Sequence, residues 1–168
     1  KNMNPNNLII KHHQNKYGGA MPLWAAVELL SFGNISKLYS MMINQDKTKI
    51  TKTSYKRISY TYIESFYHAI AYFRNQCCHF QRLYDVNHTI KMSLFKTPFY
   101  NPGTSNNKTF YFIYILFLLN PNYDLGKRLI FKLLKEFKRT KVDKGKYGFP
   151  NDWKNILEKA NGYCISIQ

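Results

Sequence analysis

Arg74, Asn75 and His79 stand close together in the stretch Arg74-Asn75-Gln76-Cys77-Cys78-His79. A guanidinium offers paired donors and a fixed positive charge to a phosphate. An imidazole titrates near neutral pH, and moves a proton from a ribose 2′-hydroxyl or onto a leaving oxygen. The combination suits phosphodiester chemistry without a metal, with Arg74 stabilising charge on the pentavalent phosphate as the larger contribution. Asn75 precedes His79 by four residues, which makes the two neighbours on a helix, and would orient the imidazole or the phosphate. Spacing alone leaves a plain alternative open, an Arg at the core edge with a capping His. The same kind of interval recurs at Arg82 and His88. That second pair is read as outside the site, with Arg82 as an RNA contact.

Charge names the partner class. The 168 residues carry 25 Lys+Arg against 9 Asp+Glu, a formal net charge of +16. Such a surplus predicts a polyanion, with nucleic acid first and an anionic membrane surface second. It concentrates between Lys127 and Lys146, where Lys127, Arg128, Lys132, Lys135, Lys138 and Arg139 form the expected RNA-binding face. A smaller cluster is Lys47, Lys49, Lys52, Lys56 and Arg57.

A hydrophobic share of 45%, with 17% aromatics, excludes a disordered basic tail and supplies one real core. Three cysteines, Cys77, Cys78 and Cys164, exclude a disulfide scaffold and form no C-x-x-C metal pair. Reduced thiols in a cytoplasmic protein, with neither metal nor cofactor, are the expectation. The longest apolar run, Phe110 to Leu119, is too short for a bilayer, which needs about 20 residues.

The elements that must position these residues read as helices. Residues 1–20 are polar, broken by Gly18-Gly19, and read as a linker or the end of a longer N-terminal region, since the chain starts at Lys1. Residues 21–168 read as one helical domain. Pro22 opens a helix that Gly33 stops, a second covers Ile35 to Ile43, and Asn44 to Ser54 reads as a loop. From Ile58 to Phe80, the residues Tyr62, Ile63, Phe66, Tyr67, Ile70, Phe73, Cys77 and Phe80 share one apolar arc. Arg74 falls inside that arc and so requires a partner. Glu64, His68, Asn75 and His79 line a polar flank. His68, about 16 Å from His79 along the axis, reads as structural.

A buried helix is predicted over Lys108 to Leu119. Asp124 caps the next, in which Leu125, Leu129, Ile130, Leu133, Leu134 and Phe137 oppose the cations. A last short helix begins near Pro150-Asn151-Asp152. The fold class is an all-α bundle without strands.

Two stretches carry a family resemblance. Arg74-Asn75-Gln76-Cys77-Cys78-His79-Phe80-Gln81-Arg82-Leu83-Tyr84 resembles the pattern R-N-x-C-A-H-H-x-R-L-(Y/W), which contains the R-x4-6-H signature of HEPN ribonucleases. Pro22-Leu23-Trp24, Glu28 and Ser31-Phe32-Gly33-Asn34-Ile35-Ser36-Lys37-Leu38-Tyr39 resemble P-x-W…E…(S/T)-F-G-x-(I/L)-S-x-L-Y. Both are features of the Abi-like family of bacterial abortive-infection proteins. Phe80 stands where a second His is common, and Cys78 where Ala is.

The resemblance implies a HEPN-like helical bundle that pairs as a homodimer and brings two Arg/His motifs into one cleft. It implies metal-independent endoribonuclease activity leaving a 2′,3′-cyclic phosphate, used in phage defence or as a toxin of a toxin–antitoxin pair. A cognate small inhibitory or guide RNA is a further implied partner, and a membrane is not. Glu28 would hold Arg74 by a salt bridge. A pair five residues apart on a helix differs by about 140°, so Arg74 and His79 do not share a face. A cleft between two chains, or a bend near Cys77, would reconcile them. The alternative is a non-catalytic RNA-binding protein of the same fold.

Overall fold

Ten residues from Thr109 to Leu118 carry no charge, so no side of a helix built from them suits water. In the computed structural model, which describes residues 7–165, this segment is a helix at the centre of the molecule, with all but Ile113 and Leu116 buried. The described residues form eight α-helices, α1 (Leu8–Tyr17), α2 (Leu23–Glu28), α3 (Phe32–Met41), α4 (Asn44–Ser54), α5 (Tyr60–Cys78), α6 (Thr109–Leu118), α7 (Tyr123–Thr140) and α8 (Trp153–Ala160). A 3-10 turn spans Lys144–Tyr147, and no strand occurs among the described residues. α5 and α8 pack directly on α6, α7 packs on α8, and α3 and α4 pack on the outer side of α5.

Several expectations shift. Residues 8–17, read as linker, are helical, because Asn7 Oδ1 accepts from the Ile9 amide and Gly18 closes the end in the left-handed region. Pro22 is the residue before α2 rather than its first. Gly33 stops nothing: Ser31 Oγ accepts from the Asn34 amide and starts α3 around it. Residues 44–54 form α4 and not a loop. Lys47 and Thr51, four apart, are its buried face, and the Thr51 hydroxyl lies 2.9 Å from that of Tyr39. Tertiary contact there outweighs weak helix propensity. Asn122, not Asp124, caps α7 by accepting from the Leu125 amide, and Asp124 sits in the first turn, where the helix dipole favours an anion.

The long connection from α5 to α6 has no regular structure, yet it is bound to the core. Tyr111 hydroxyl accepts from the Phe95 amide at 2.7 Å and donates to the Ser93 carbonyl at 2.8 Å. Met92 and Phe95 are buried beneath it. Burial pushes the Tyr111 and Tyr114 hydroxyls well above the usual phenol range, so they stay protonated donors. His88 is held inside by the edges and faces of Tyr72, Phe73 and Phe112. Thr109 Oγ1 donates to the Leu83 carbonyl, so it accepts from His88 Nε2, at 3.1 Å. That leaves His88 Nδ1 as a buried lone pair without a partner.

Gly126 is a close approach. A Cβ there would collide with the Asn161 side chain, which is itself tied to the Tyr123 carbonyl and to Asn120 Nδ2. Gly126→Ala should therefore destabilise the fold by about 1–3 kcal/mol despite better helix propensity, seen as a lower Tm.

The second prediction concerns acid. Burial, with Lys108 nearby, lowers the His88 pKa below its ordinary 6.5, so the folded state keeps the ring neutral. The unfolded chain takes up a proton first as the pH falls below about 6.5, which drains stability by up to about 1.4 kcal/mol per pH unit. Thermal melts at pH 7.5 and 5.5 should show this loss, and His88→Gln should reduce the difference between them.

Candidate active site

α5 runs 19 residues, but its buried side chains end at Phe73. The last turn and a half projects past the core. Arg74, Asn75, Cys77, Cys78 and His79 are all exposed there. His79 caps the helix, its amide donating to the Asn75 carbonyl at 3.0 Å. The chain then reverses: Phe80 takes φ 52°, its amide donates to the Cys77 carbonyl, and the Gln81 amide donates back to the Gln76 carbonyl at 3.0 Å. This pairing is the Schellman closure, which usually has Gly at the position occupied by Phe80.

The apolar arc read from the sequence overshoots. Cys77 and Phe80 lie outside the core, and Arg74 is in water rather than in an apolar seam. Its one side-chain bond is from Nη1 to Asn75 Oδ1, at 3.3 Å. Glu28 is exposed at the end of α2 and forms no ion pair among the described residues, so the expected tie to Arg74 is not made. Among the described residues, most of the Arg74 donors have no partner. Partial burial pushes the Cys77 thiol up, with Cys78 adding to the effect, which disfavours a thiolate at this turn.

A groove of about 940 Å³ runs between α3 and α5 and has Asn75 among its lining residues. On the α5 side lie Thr61, Glu64, His68 and Tyr72, spaced to share a face. On the α3 side lie Gly33, Ser36, Lys37 and Ser40. His68 is exposed in this groove rather than structural. The polar flank of α5 was visible in the spacing, whereas its opposite wall becomes apparent only once α3 and α4 are placed. Lys47 closes the groove from beneath: buried at Nζ, it donates to Glu64 Oε2 at 2.7 Å and to the Ser40 carbonyl at 2.8 Å. Residues of both stretches quoted above, Gly33 and Ser36 from one and Asn75 from the other, line this groove.

The cations of α7 form the expected exposed face. Lys127, Arg128, Lys132, Lys135, Lys138 and Arg139 all reach solvent, and Arg139 also pairs with Glu136 at 2.6 Å. Two exposed aromatics are set among them. Tyr123 lies under Lys127 Nζ at 4.4 Å, and Phe131 is 68% exposed. Leu125 and Leu129, expected in the core, are also exposed, because α7 leans on α8 through its later residues, Ile130, Leu133, Leu134 and Phe137. The basic stretch returns toward the segment after His79. Tyr147 meets the Tyr84 ring at 5.2 Å, and Lys146 pairs with Asp85 at 3.3 Å. Arg82, exposed just before, donates from Nε to the Tyr84 carbonyl at 2.8 Å.

The all-helical bundle is of the HEPN-like class to which the Abi-like family belongs. The model of the Abi-like protein family matches residues 1–85, half of the chain, and the chain belongs to that family. No curated protein and no solved structure matches it. No helix among the described residues is long and apolar enough to cross a membrane.

Glu64→Ala would leave the buried Lys47 ammonium with only the Ser40 carbonyl, at a cost of about 1–3 kcal/mol. Urea unfolding should report that loss, and Glu64→Gln, which keeps an acceptor, should recover most of it.

Proposed function

We propose that this protein is a metal-independent endoribonuclease of the HEPN type that acts in abortive infection or as a toxin. The observation that carries the reading is the exposed end of α5, which presents Arg74, Asn75 and His79 to solvent on a chain of net charge +16. A phosphate docks on Arg74. A neutral imidazole takes the proton of a ribose 2′-hydroxyl, and the freed oxygen attacks the adjacent phosphorus. The 5′-oxygen leaves and takes up a proton, giving a 2′,3′-cyclic phosphate and a 5′-hydroxyl. Arg74 holds the charge that accumulates on phosphorus, and such electrostatic stabilisation is usually the largest contribution in reactions of this kind.

Two copies are part of the proposal. Arg74 and His79 diverge by about 140° around the helix, so one chain presents them on different sides. A second copy supplies the missing group on each side, and provides one imidazole as base and one as acid. The α7 face holds the rest of the strand through Lys127, Arg128, Lys132, Lys135, Lys138 and Arg139, by neutralising phosphates. Arg82 extends that path toward the motif.

The test is cleavage of tRNA and mRNA by purified protein in EDTA, with product ends mapped. Cleavage should persist and leave cyclic phosphate ends. His79→Ala should lower the rate at least 10²-fold and Arg74→Ala by about 10²–10³-fold, with RNA affinity nearly kept by His79→Ala. A need for a divalent ion, or equal cleavage by His79→Ala, would overturn the mechanism. RNA binding without any cleavage by the unaltered protein would leave the non-catalytic reading in its place.

A further inference from the structure

Phe80 is the most exposed large apolar residue of the described chain, at 96%. It is also one of four non-glycine residues with positive φ. A bulky side chain at φ 52° is strained, and the backbone pairing that holds it would be served better by Gly. Among the described residues the ring repays neither cost, since it takes no part in the core and none of the aromatic contacts includes it. Its neighbours on both sides, His79 and Gln81, are exposed, as are Arg74, Asn75 and Arg82.

We infer that Phe80 is a stacking platform for one unpaired base of an RNA strand, next to the imidazole of His79. The inference rests on the ribonuclease reading for its location but not for its physics. An aromatic ring fully presented to water accepts the face of any base, and such stacking does not depend on base identity. Charge decides between this occupant and a second copy of the chain laid directly on the ring. Within six residues of Phe80 along the chain the charged side chains are Arg74 and Arg82, both exposed cations, and Asp85, which is paired with Lys146. Two such ends facing each other leave a cationic space between them, which suits a polyanion better than direct contact of one ring with the other chain. RNA brings both the anion for the guanidinium groups and the flat apolar surface for the ring. The left-handed backbone fixes where the ring leaves the helix end, so the platform is set before the strand arrives.

The distinguishing experiment is binding rather than cleavage. In a His79→Ala background that leaves the RNA intact, fluorescence anisotropy would compare a labelled single-stranded RNA with a duplex RNA of equal length. Phe80→Gly should weaken single-strand binding about 5- to 150-fold, the range of one base–aromatic stack. Duplex binding should change little, and the salt slope should be unaltered, because the ring neutralises no phosphate. Phe80→Trp should bind at least as well as the parent. Phe80→Gly should melt at the same or a higher temperature, since it relieves the positive φ, so lost binding could not be blamed on lost folding.

Unchanged single-strand affinity in Phe80→Gly would overturn the inference, as would equal weakening for the duplex. Conversion of a dimer to a monomer by Phe80→Gly, with RNA affinity per chain intact, would assign the ring to a second copy instead. Absence of cleavage by the unaltered protein would sink the ribonuclease reading while leaving this comparison standing.

Discussion

The fold depends on enclosing α6, an uncharged helix of which all residues but Ile113 and Leu116 are buried. Burial of its Phe, Tyr, Ile and Leu side chains is the dominant favourable contribution, at roughly 25 cal/mol per Å² of apolar surface removed from water. Enclosure requires cover on every face, and that requirement explains the remaining architecture. α5 and α8 supply two walls, and the long irregular connection supplies a third. The irregular cover is stable because tyrosine hydroxyls rising from α6 satisfy its backbone, with Tyr111 meeting both the Phe95 amide and the Ser93 carbonyl. α6 is thus at once the apolar centre and the polar anchor of the segment that crosses it.

The same arrangement sets the place of the motif. α5 is longer than the core it covers. Phe66, Ala69 and Phe73 lie in the core around α6, and no residue of the next turn is buried. Arg74, Asn75 and His79 are thereby put in water by helix length alone, at the end tied to the basic 3-10 turn through Asp85 and Tyr84. On the proposed reading, a polyanion approaches that end along a continuous cationic route from α7.

Where burial was announced by apolar periodicity, the fold was legible from the sequence. α5, α6, α7 and α8 belong to this class, each with large apolar residues at helical spacing. α4 was not legible, because its buried residues are Lys47 and Thr51, which look solvent-facing until Glu64 and Tyr39 are brought to them. α1 was hidden by a polar sequence that holds together through its caps and Ile10 and His13. The motif residues themselves stood out by type and spacing, but their surroundings did not. The wheel extended the core through Cys77 and Phe80, since periodicity carries no information on where the opposing elements stop. It therefore gave Arg74 a burial problem that the folded chain does not have. The groove escaped notice for a related reason: one wall is a run of small and hydroxyl side chains on α3, unremarkable until α5 faces it.

The overhang of α5 separates two properties that most folds couple. Backbone amides beyond Phe73 are protected by the helix's own hydrogen bonds and its terminal closure, without packed layers above them. Such ends open by local fraying, at a free energy far below that of global unfolding. Order at the motif is accordingly set by a few bonds at one helix terminus, whereas the melting temperature is set by the aromatic interior around α6. Damage to the interior therefore reaches the motif only when the whole molecule unfolds, and rearrangement of the terminus leaves the interior intact.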